Sequence, residues 1–268
     1  NSMGFRSQSV DFTKNHLLLI GDSVTWGFGV SDEETIGYYL QKKITHLQVL
    51  NLGVPGYGID QSYLRLKNNI DKLNPKIIVL ILYTGNDFTD TATNFMFAQK
   101  PLFEVDKNKV PLSKKSFYFV QPQNIRLRHE KISRFSCLNT IARISVPLFF
   151  IKKNLQIFCK KKILDPVETS YVVKALILKI VGLALANASR VIVITSPYID
   201  FLQGHSLFGG IIRRTSIRYN HVYPFEFHDF LKTIKSKNWD TKKMYLDGLH
   251  YTASGNKKLA FTLAEWIS

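Results

Sequence analysis

The sequence predicts an α/β fold in which helices cover a parallel β-sheet. The clearest signals are two short, uninterrupted apolar runs, HLLLI at 16–20 and KIIVLILY at 76–83. Strands buried on both faces of a parallel sheet lack the polar alternation of exposed strands, so these runs indicate such a sheet. A segment with helical spacing, Glu33–Ile44, lies between them. Strand, helix and strand in this succession favour right-handed βαβ units.

The same patterns predict five strands and five main helices. The predicted strands are His16–Ile20, Gln48–Asn51, Lys76–Tyr83, Arg190–Thr195 and a weak fifth at Lys243–Leu246. The predicted helices are Glu33–Ile44, Asp60–Leu73, the apolar stretch that follows Asp165, Phe225–Lys235 and Thr252–Trp266. At the start of the third helix, Asp165 suits the N-cap, Pro166 suits the first helical position and Glu168 completes a capping box.

The stretch from Lys100 to Asp165 interrupts this alternation. It carries fifteen Lys or Arg residues against four acidic ones, in a chain of formal net charge +16. We interpret 1–268 as a single domain and 100–165 as a basic insertion at the sheet edge or over its carboxyl end. Such charge attracts an acidic glycan or an anionic membrane surface, although a solvated, lysine-rich surface explains it equally well. Nucleic acid is not an expected partner, because no recognition motif accompanies the charge.

Two features of the chain bear on its compartment. Cys137 and Cys159 are its only cysteines, which leaves one disulfide or two buried thiols as alternatives. No run of 18 uninterrupted apolar residues and no signal-peptide pattern are present, but the lack of an initiator methionine suggests that a natural N-terminus with a membrane anchor is missing. The cell envelope is then expected, and otherwise the cytoplasm. The stretch Ile144–Leu164 either lies on an anionic membrane or packs as a helix with a basic outer face.

Chemistry-bearing residues follow the predicted strands. Ser23 stands just after the first strand, where ligands bind in open parallel sheets. Near the C-terminus, Asp247 precedes His250 by three residues, a spacing that lets the carboxylate orient the imidazole while its other nitrogen accepts the Ser23 proton. Gly56, after the second strand, and Asn86, after the third, offer a backbone N–H and a side-chain amide to a developing oxyanion.

These motifs, Gly21-Asp22-Ser23, Gly56, Gly85-Asn86-Asp87 and Asp247-x-x-His250, resemble the four sequence blocks of the SGNH, or GDSL, hydrolase family. The resemblance implies a flavodoxin-like three-layer α/β/α sandwich with a five-stranded parallel sheet. It also implies Ser23 as nucleophile, His250 as base and Asp247 as its orienting carboxylate. The implied oxyanion hole comprises the Ser23 and Gly56 N–H groups and the Asn86 side chain.

The longer strings GDSVTWGFGVSDEET and NLGVPGYGIDQ resemble a bacterial subgroup in which the domain often follows a membrane anchor. In that subgroup a segment like NSMGFR at 1–6 precedes the first strand, which implies that these six residues are native. Thr25 and Trp26 are candidates for lining a substrate pocket, with simple packing as the alternative for Trp26. Asp22 and Asp87 are expected to accept hydrogen bonds from turn N–H groups instead of reacting.

The sequence therefore predicts a serine esterase that cleaves carboxylic esters of small molecules or glycans through an acyl-enzyme, without cofactor or metal. The nucleophile pattern GxSxG, the dinucleotide pattern GxGxxG and the phosphate-binding pattern GxxxxGK[ST] are absent at the relevant places. One alternative is an O-acyltransferase or deacetylase that acts on an envelope polysaccharide. The other is a non-catalytic module that binds anionic polymers.

Overall fold

The sheet matches the sequence prediction in its number of strands and their direction. The computed structural model describes residues 1–95, 99–106, 108, 122–128, 162–197 and 207–268. The strands are β1 (His16–Ile20), β2 (Gln48–Asn51), β3 (Ile77–Tyr83), β4 (Leu102–Val105), β5 (Ile125–Arg128), β6 (Arg190–Ser196) and β7 (Glu226–Asp229). Five of them form one parallel sheet in the order β2-β1-β3-β6-β7, while β4 and β5 form an antiparallel pair. The order of the larger sheet is that of flavodoxin-like folds.

Helices cover both faces of this sheet. They are α1 (Ser23–Trp26), α2 (Ile36–Lys43), α3 (Ile59–Lys67), α4 (Ile70–Leu73), α5 (Asp87–Thr91), α6 (Pro166–Ala186), α7 (Leu207–Tyr219), α8 (Phe230–Ser236) and α9 (Ala253–Ile267). Because alternate strand residues point to opposite faces, Leu18 and Leu80 pack with α3, α4, α6 and α7, whereas Leu17 and Val79 pack with α2, α8 and α9. The result is the predicted three-layer α/β/α sandwich.

The fifth strand lies elsewhere than predicted. Glu226–Asp229 pairs with β6, although the sequence predicted a helix from Phe225 to Lys235. This edge strand is polar, and its Glu226 forms an ion pair with Arg190, so it lacks the apolar signature of a buried strand. The predicted strand Lys243–Leu246 is instead a 3₁₀ turn followed by a single bridge between Tyr245 and Tyr251.

The start of α6 follows the prediction except at Glu168. Asp165 accepts hydrogen bonds from the N–H groups of Val167 and Glu168, and Pro166 occupies the first turn. The Glu168 carboxylate accepts from the N–H of Val105 on β4 and so joins the helix to the hairpin. By length and composition α6 is the one helix in the described part of the chain that could cross a membrane. Most of its length is buried against the sheet and α3, as in the core helix of a layered fold.

The described part of the insertion is the hairpin β4–β5, which packs on the α3–α6 layer. Phe103 of β4 meets Tyr63 of α3 edge-on, with ring centroids 5.7 Å apart. Glu104 of β4 is buried and forms ion pairs with Arg126 and Lys162. Burial opposes ionisation, but these two cations outweigh it and lower the pKa of Glu104 to about 2. Cys137, Cys159 and the stretch from Ile144 to residue 161 lie outside the described residues.

A buried ion pair joins the first residue of the insertion to the start of α3. Lys100 Nζ lies 2.5 Å from Asp60 Oδ2, and the two side chains are 3% and 0% exposed. Asp90 of α5 is a second buried carboxyl near the same ammonium group. Burial raises the pKa of both Asp60 and Asp90 to about 6, and the charge of Lys100 acts against that rise. The pair therefore neutralises charge within the layer that carries α3 and α5.

Replacing Lys100 by Met should lower the free energy of unfolding by about 3–5 kcal/mol at pH 8, because an ionised carboxylate is left buried without its partner. Removing the ammonium group raises the pKa of Asp60 further, so the folded chain holds that proton more tightly than the unfolded chain. The stability lost by K100M should therefore grow as pH rises from about 5 to about 8. Denaturant unfolding of both proteins at several pH values measures this difference.

The double variant D60N/K100M is the matched control, since it removes both charges and keeps the side-chain volumes similar. It should recover most of the stability and lose the added dependence on pH. An equal loss for K100M at pH 5 and pH 8 would contradict the assignment of a charged pair.

Candidate active site

Ser23 is the first residue of α1 and stands at the carboxyl end of β1. Asp22 is the N-cap of this short helix, and its Oδ1 accepts a hydrogen bond from the N–H of Val24 at 2.9 Å. Gly21 joins strand to helix with φ +152, and a Cβ at this position would lie 2.5 Å from the carbonyl oxygen of Ile81. Glycine thus lets the end of β1 lie directly against β3, which fixes where the Ser23 hydroxyl emerges.

His250 is presented by a tight turn that Asp247 closes. The Oδ1 atom of Asp247 accepts hydrogen bonds from the N–H groups of Leu249 at 2.9 Å and His250 at 2.8 Å. Gly248 has φ +80, which a glycine adopts without strain. The N–H of Leu246 donates to the carbonyl oxygen of His250 at 2.8 Å. The turn is built from these bonds and follows no strand of the main sheet, contrary to the sequence prediction.

The structure brings Ser23, His250 and Asp247 into one hydrogen-bonded line. His250 Nδ1 lies 2.8 Å from Asp247 Oδ2, and His250 Nε2 lies 3.0 Å from Ser23 Oγ. A carboxylate can only accept, so Nδ1 donates to it and Nε2 is left to accept from the hydroxyl. Burial alone would raise the pKa of Asp247, but the N–H groups of His250 and Leu249 outweigh it and hold the pKa below its ordinary value.

Two buried tyrosines on either side of this turn dock it onto the end of β6. The hydroxyl of Tyr251, next to His250, lies 2.7 Å from Ser196 Oγ. The hydroxyl of Tyr245 donates to the carbonyl oxygen of Pro197 at 2.9 Å. The imidazole is thereby held by the sheet, although it belongs to a loop.

The two other predicted oxyanion donors follow the strands on either side of β1. Gly56, with φ +77, lies in the loop after β2, and Asn86 is the N-cap of α5 after β3. Because β2 and β3 both pair with β1 in parallel, both loops lie at the same edge of the sheet as Ser23. The β2 loop also contacts α1, since a Cβ on Gly53 would lie 2.6 Å from the backbone nitrogen of Trp26.

Asp22 and Asp87 hold turns, as the sequence predicted, and both are buried. Asp87 Oδ2 accepts a hydrogen bond from the N–H of Tyr83 at 2.8 Å, while Asp22 caps α1. Burial raises the pKa of Asp22 to about 6. Burial, together with the charges of Asp22, Asp90 and Asp60, raises the pKa of Asp87 well above its usual range. These two carboxyls support the turns that carry Ser23 and Asn86.

The residues around the hydrogen-bonded line of Ser23, His250 and Asp247 are placed partly differently from the prediction. Thr25 is fully buried, so it packs beneath Gly21 and does not line an open pocket as predicted. The half-buried ring of Trp26 lies under the guanidinium group of Arg6 at 4.1 Å. No sequence pattern pointed to Phe28, whose ring centroid lies 4.7 Å from that of His250 and which is 49% exposed. Within the described ranges, no group of three or more His, Cys, Asp or Glu residues could hold a metal ion.

Comparisons with known proteins agree with this architecture. Residues 17–147 match the family model of GDSL-like lipases and acylhydrolases. A member of the lipolytic G-D-S-L family from Veillonella parvula has the same fold, with a TM-score of 0.53 and 12% identity over 93% of this chain and 96% of that one. No curated protein matches the chain.

Two further solved structures share the fold. An acetyl xylan esterase matches with a TM-score of 0.53 and 13% identity over 94% of this chain and 100% of its own. A lipase/acylhydrolase from Enterococcus faecalis matches with a TM-score of 0.51 and 15% identity over 94% of this chain and 95% of its own. The match over residues 17–147 identifies a GDSL-like lipase/acylhydrolase domain in this chain, and together with the shared fold it makes the chain a serine ester hydrolase.

Proposed function

We propose that this enzyme cleaves carboxylic esters through an acyl-enzyme, with Ser23 as nucleophile, His250 as general base and Asp247 as its orienting carboxylate. The observation that carries the proposal is the line from Asp247 through His250 to Ser23, with contacts of 2.8 Å and 3.0 Å. A nucleophile, a base and an orienting group within hydrogen-bond reach of one another are the signature of covalent acyl transfer.

In the acylation step, His250 Nε2 takes the proton of Ser23 Oγ as that oxygen forms a bond to the ester carbonyl carbon. The carbonyl electron pair moves onto the oxygen, which accepts hydrogen bonds from the Ser23 and Gly56 N–H groups and the Asn86 amide. When this intermediate collapses, the bond to the alcohol oxygen breaks and Nε2–H gives it the proton. The ionised Asp247 stabilises the imidazolium form of His250 throughout.

In the deacylation step, water replaces the alcohol. His250 Nε2 takes a proton from the water as its oxygen attacks the acyl carbon, and the same donors hold the second oxyanion. Collapse then breaks the bond to Ser23 Oγ, which regains its proton from His250. The products are a carboxylic acid and the free enzyme.

A second candidate is the removal or transfer of acyl groups on an acidic envelope polysaccharide, by the same residues. The excess of Lys and Arg between residues 100 and 165 favours it, because cationic surfaces concentrate anionic polymers. One protein of the same fold is an acetyl xylan esterase, so this architecture accommodates a carbohydrate ester. The two candidates differ in the alcohol that enters or leaves.

Replacing Ser23 by Ala should reduce turnover of an activated short-chain ester, such as p-nitrophenyl acetate, by roughly 10³–10⁶-fold. The loss follows because no other hydroxyl in the hydrogen-bonded line can form the acyl-enzyme. A fluorophosphonate should label the wild-type enzyme on the peptide that contains Ser23 and leave S23A unlabelled. Ser236→Ala, an exposed serine at the end of α8, is the matched control. Wild-type rates in a folded S23A would refute the assignment.

Replacing Asn86 by Ala should lower kcat on the same ester by roughly 10²–10³-fold with little change in KM, because the amide acts mainly on the developing oxyanion. Steady-state kinetics at saturating substrate separate the two constants. Asn68→Ala, an exposed position at the end of α3, should leave both unchanged. A loss confined to KM would instead make Asn86 a substrate-binding group.

Competition between acceptors should show hydrolysis as the main reaction. With p-nitrophenyl acetate as donor and an acidic oligosaccharide in excess, acetate should account for the nitrophenol released, as measured by mass spectrometry. A neutral oligosaccharide of the same length is the control. Acetylation of the acidic sugar alone, weakened by salt, would establish the second candidate as the reaction of this enzyme.

A further inference from the structure

The six residues NSMGFR at 1–6 form a structured turn that packs on the domain. Asn1 Oδ1 accepts hydrogen bonds from the N–H groups of Met3 and Phe5, both at 3.1 Å. Phe5 is 3% exposed and belongs to the hydrophobic core. Arg65 of α3 donates to the carbonyl oxygen of Gly4 at 2.7 Å, and its guanidinium lies 5.3 Å from the Phe5 ring. This segment is therefore held in place on the side of α3.

On its other side, the segment holds the loop that leaves α1, through Arg6. One terminal nitrogen of Arg6 donates to the carbonyl oxygens of Gly27 at 2.5 Å and Trp26 at 3.2 Å, and the other donates to that of Val30 at 2.7 Å. Its Nε donates to Asp32 Oδ1 at 2.8 Å. The guanidinium also covers the Trp26 ring, and only 12% of the side chain is exposed. The Arg6 side chain thus donates to acceptors of residues 26–32, at the end of α1 and in the loop 27–31 that follows it.

The loop turns through two glycines, and the carbonyl oxygen of Trp26 at its start has one further donor, Asn51 Nδ2 at 3.4 Å. Gly27 has φ +88 and Gly29 has φ +83, so two of its residues adopt the left-handed conformation in which backbone preference is weak. The N–H groups of Gly27 and Phe28 both donate to the carbonyl oxygen of Ser23 at 3.0 Å. The start of the loop is therefore bonded to the backbone of Ser23, and Arg6 donates to carbonyl oxygens at the end of α1 and beyond it.

The same loop covers His250. The Phe28 ring lies against the imidazole at 4.7 Å, with the two planes inclined by 39°. A Cβ on Gly29 would lie 2.7 Å from a methyl group of Leu246, the residue before Asp247. The loop thus contacts Ser23 at its start and the His250 turn at its middle, so its position bears on both partners of the 3.0 Å contact between Nε2 and Oγ.

We propose that Arg6 is a positioning residue for the esterase reaction, acting through the 27–31 loop and Phe28 on the orientation of His250. The inference rests on the proposed function. Asp247 and Ser23 hold the two nitrogen atoms of the imidazole, and Phe28 holds its face. Loss of the Arg6 hydrogen bonds lets Phe28 move away from His250. The imidazole can then rotate about the bonds of the His250 side chain. Lys cannot replace Arg6, because a single ammonium group lacks the planar fork that reaches three carbonyl oxygens and a carboxylate.

Arg6→Met and Arg6→Lys should each lower kcat for p-nitrophenyl acetate by roughly 10–100-fold with little change in KM, since displacement of a reacting group by about 1 Å costs on that order. Arg65→Met is the matched control. It removes a guanidinium that holds the other side of the same segment, and it should keep kcat within about 2-fold even where thermal stability falls as much as in R6M. Equal losses of kcat in R65M and R6M at equal stability would overturn the inference.

A double-mutant cycle separates positioning from general loosening. Phe28→Leu should lower kcat as R6M does, and the R6M/F28L double variant should lose no more than the worse single variant, because both changes interrupt one chain of contacts. Phe12→Leu, an exposed phenylalanine next to His16, should leave kcat unchanged. Full additivity of R6M and F28L would contradict the proposed route. R6K, the milder change, replaces R6M in the cycle if R6M does not fold.

A spectroscopic readout keeps this inference separate from the proposed function. In ¹⁵N NMR spectra of the imidazole, the wild-type protein should show one His250 tautomer, protonated at Nδ1. R6K and R6M should show exchange between tautomers, whereas R65M should not. Absence of Ser23-dependent turnover in the wild type would refute the esterase proposal alone. An unchanged His250 spectrum in the Arg6 variants would refute the positioning role whether or not an ester is cleaved.

Discussion

The contact between Ser23 and His250 joins two residues that are 227 positions apart in the chain, and the surrounding structure is arranged to keep it at 3.0 Å. Ser23 depends on β1, which lies between β2 and β3 in the sheet, while His250 depends on a turn between a 3₁₀ segment and α9. Neither residue alone fixes the distance. The distance is fixed by the packing of the elements that carry the two residues, because α9 packs on α2 and the tyrosine beside His250 is bonded to the end of β6. The site is therefore a property of the sandwich as a whole.

Buried carboxyls beneath the site are the main departure from ordinary packing. Asp22, Asp60 and Asp87 are each 2% exposed or less, and such groups cost free energy when ionised. Each of them stabilises a particular piece of local structure, since Asp22 caps α1, Asp87 holds the end of β3 and Asp60 pairs with Lys100. Local costs of this kind are expected where a fold must hold unusual turns at a functional site.

The sequence predicted the parts of this architecture that depend on local pattern. The strands β1 and β2 have the predicted bounds, because a buried parallel strand is a short apolar run ended by a turn residue. Ser23, Gly56, Asn86 and the Asp247–His250 pair were predicted as site residues from motifs after predicted strands and from a family resemblance, and they remain a prediction. The edge strand β7 was missed because its four residues are largely polar and are held by pairing with β6 and by an ion pair to Arg190.

Polar contacts between residues distant in the sequence could not be predicted from local sequence patterns. Nothing in the residues around Arg6, Lys100 or Glu168 indicates that they bond to the α1 loop, to α3 and to β4, respectively. A single Arg or Lys has no periodicity, and its partner is chosen by the fold. The turn at Asp247 shows the intermediate case. Its spacing predicted the contact with His250 on a tight turn or a helical start, and the structure has the tight turn, with two backbone N–H groups bonded to Asp247 and a left-handed glycine at 248.

Separate hydrogen bonds hold the elements that carry the groups of the proposed reaction, and they keep these groups in fixed relative positions. Asn51 donates to the carbonyl oxygen of Thr25 in α1 and accepts from the N–H of Gly53 in the loop that bears Gly56. Thr91 of α5 accepts from the N–H of Ile59, which joins the helix capped by Asn86 to α3. Donors held in this way need no rearrangement when charge develops on a substrate. Such preorganisation is the main source of oxyanion stabilisation, because no free energy is spent on reorienting the donors during the reaction. Loss of one of these hydrogen bonds should therefore lower kcat more than it raises KM. The bonds fix the relative positions of reacting groups and do not themselves contact the ester.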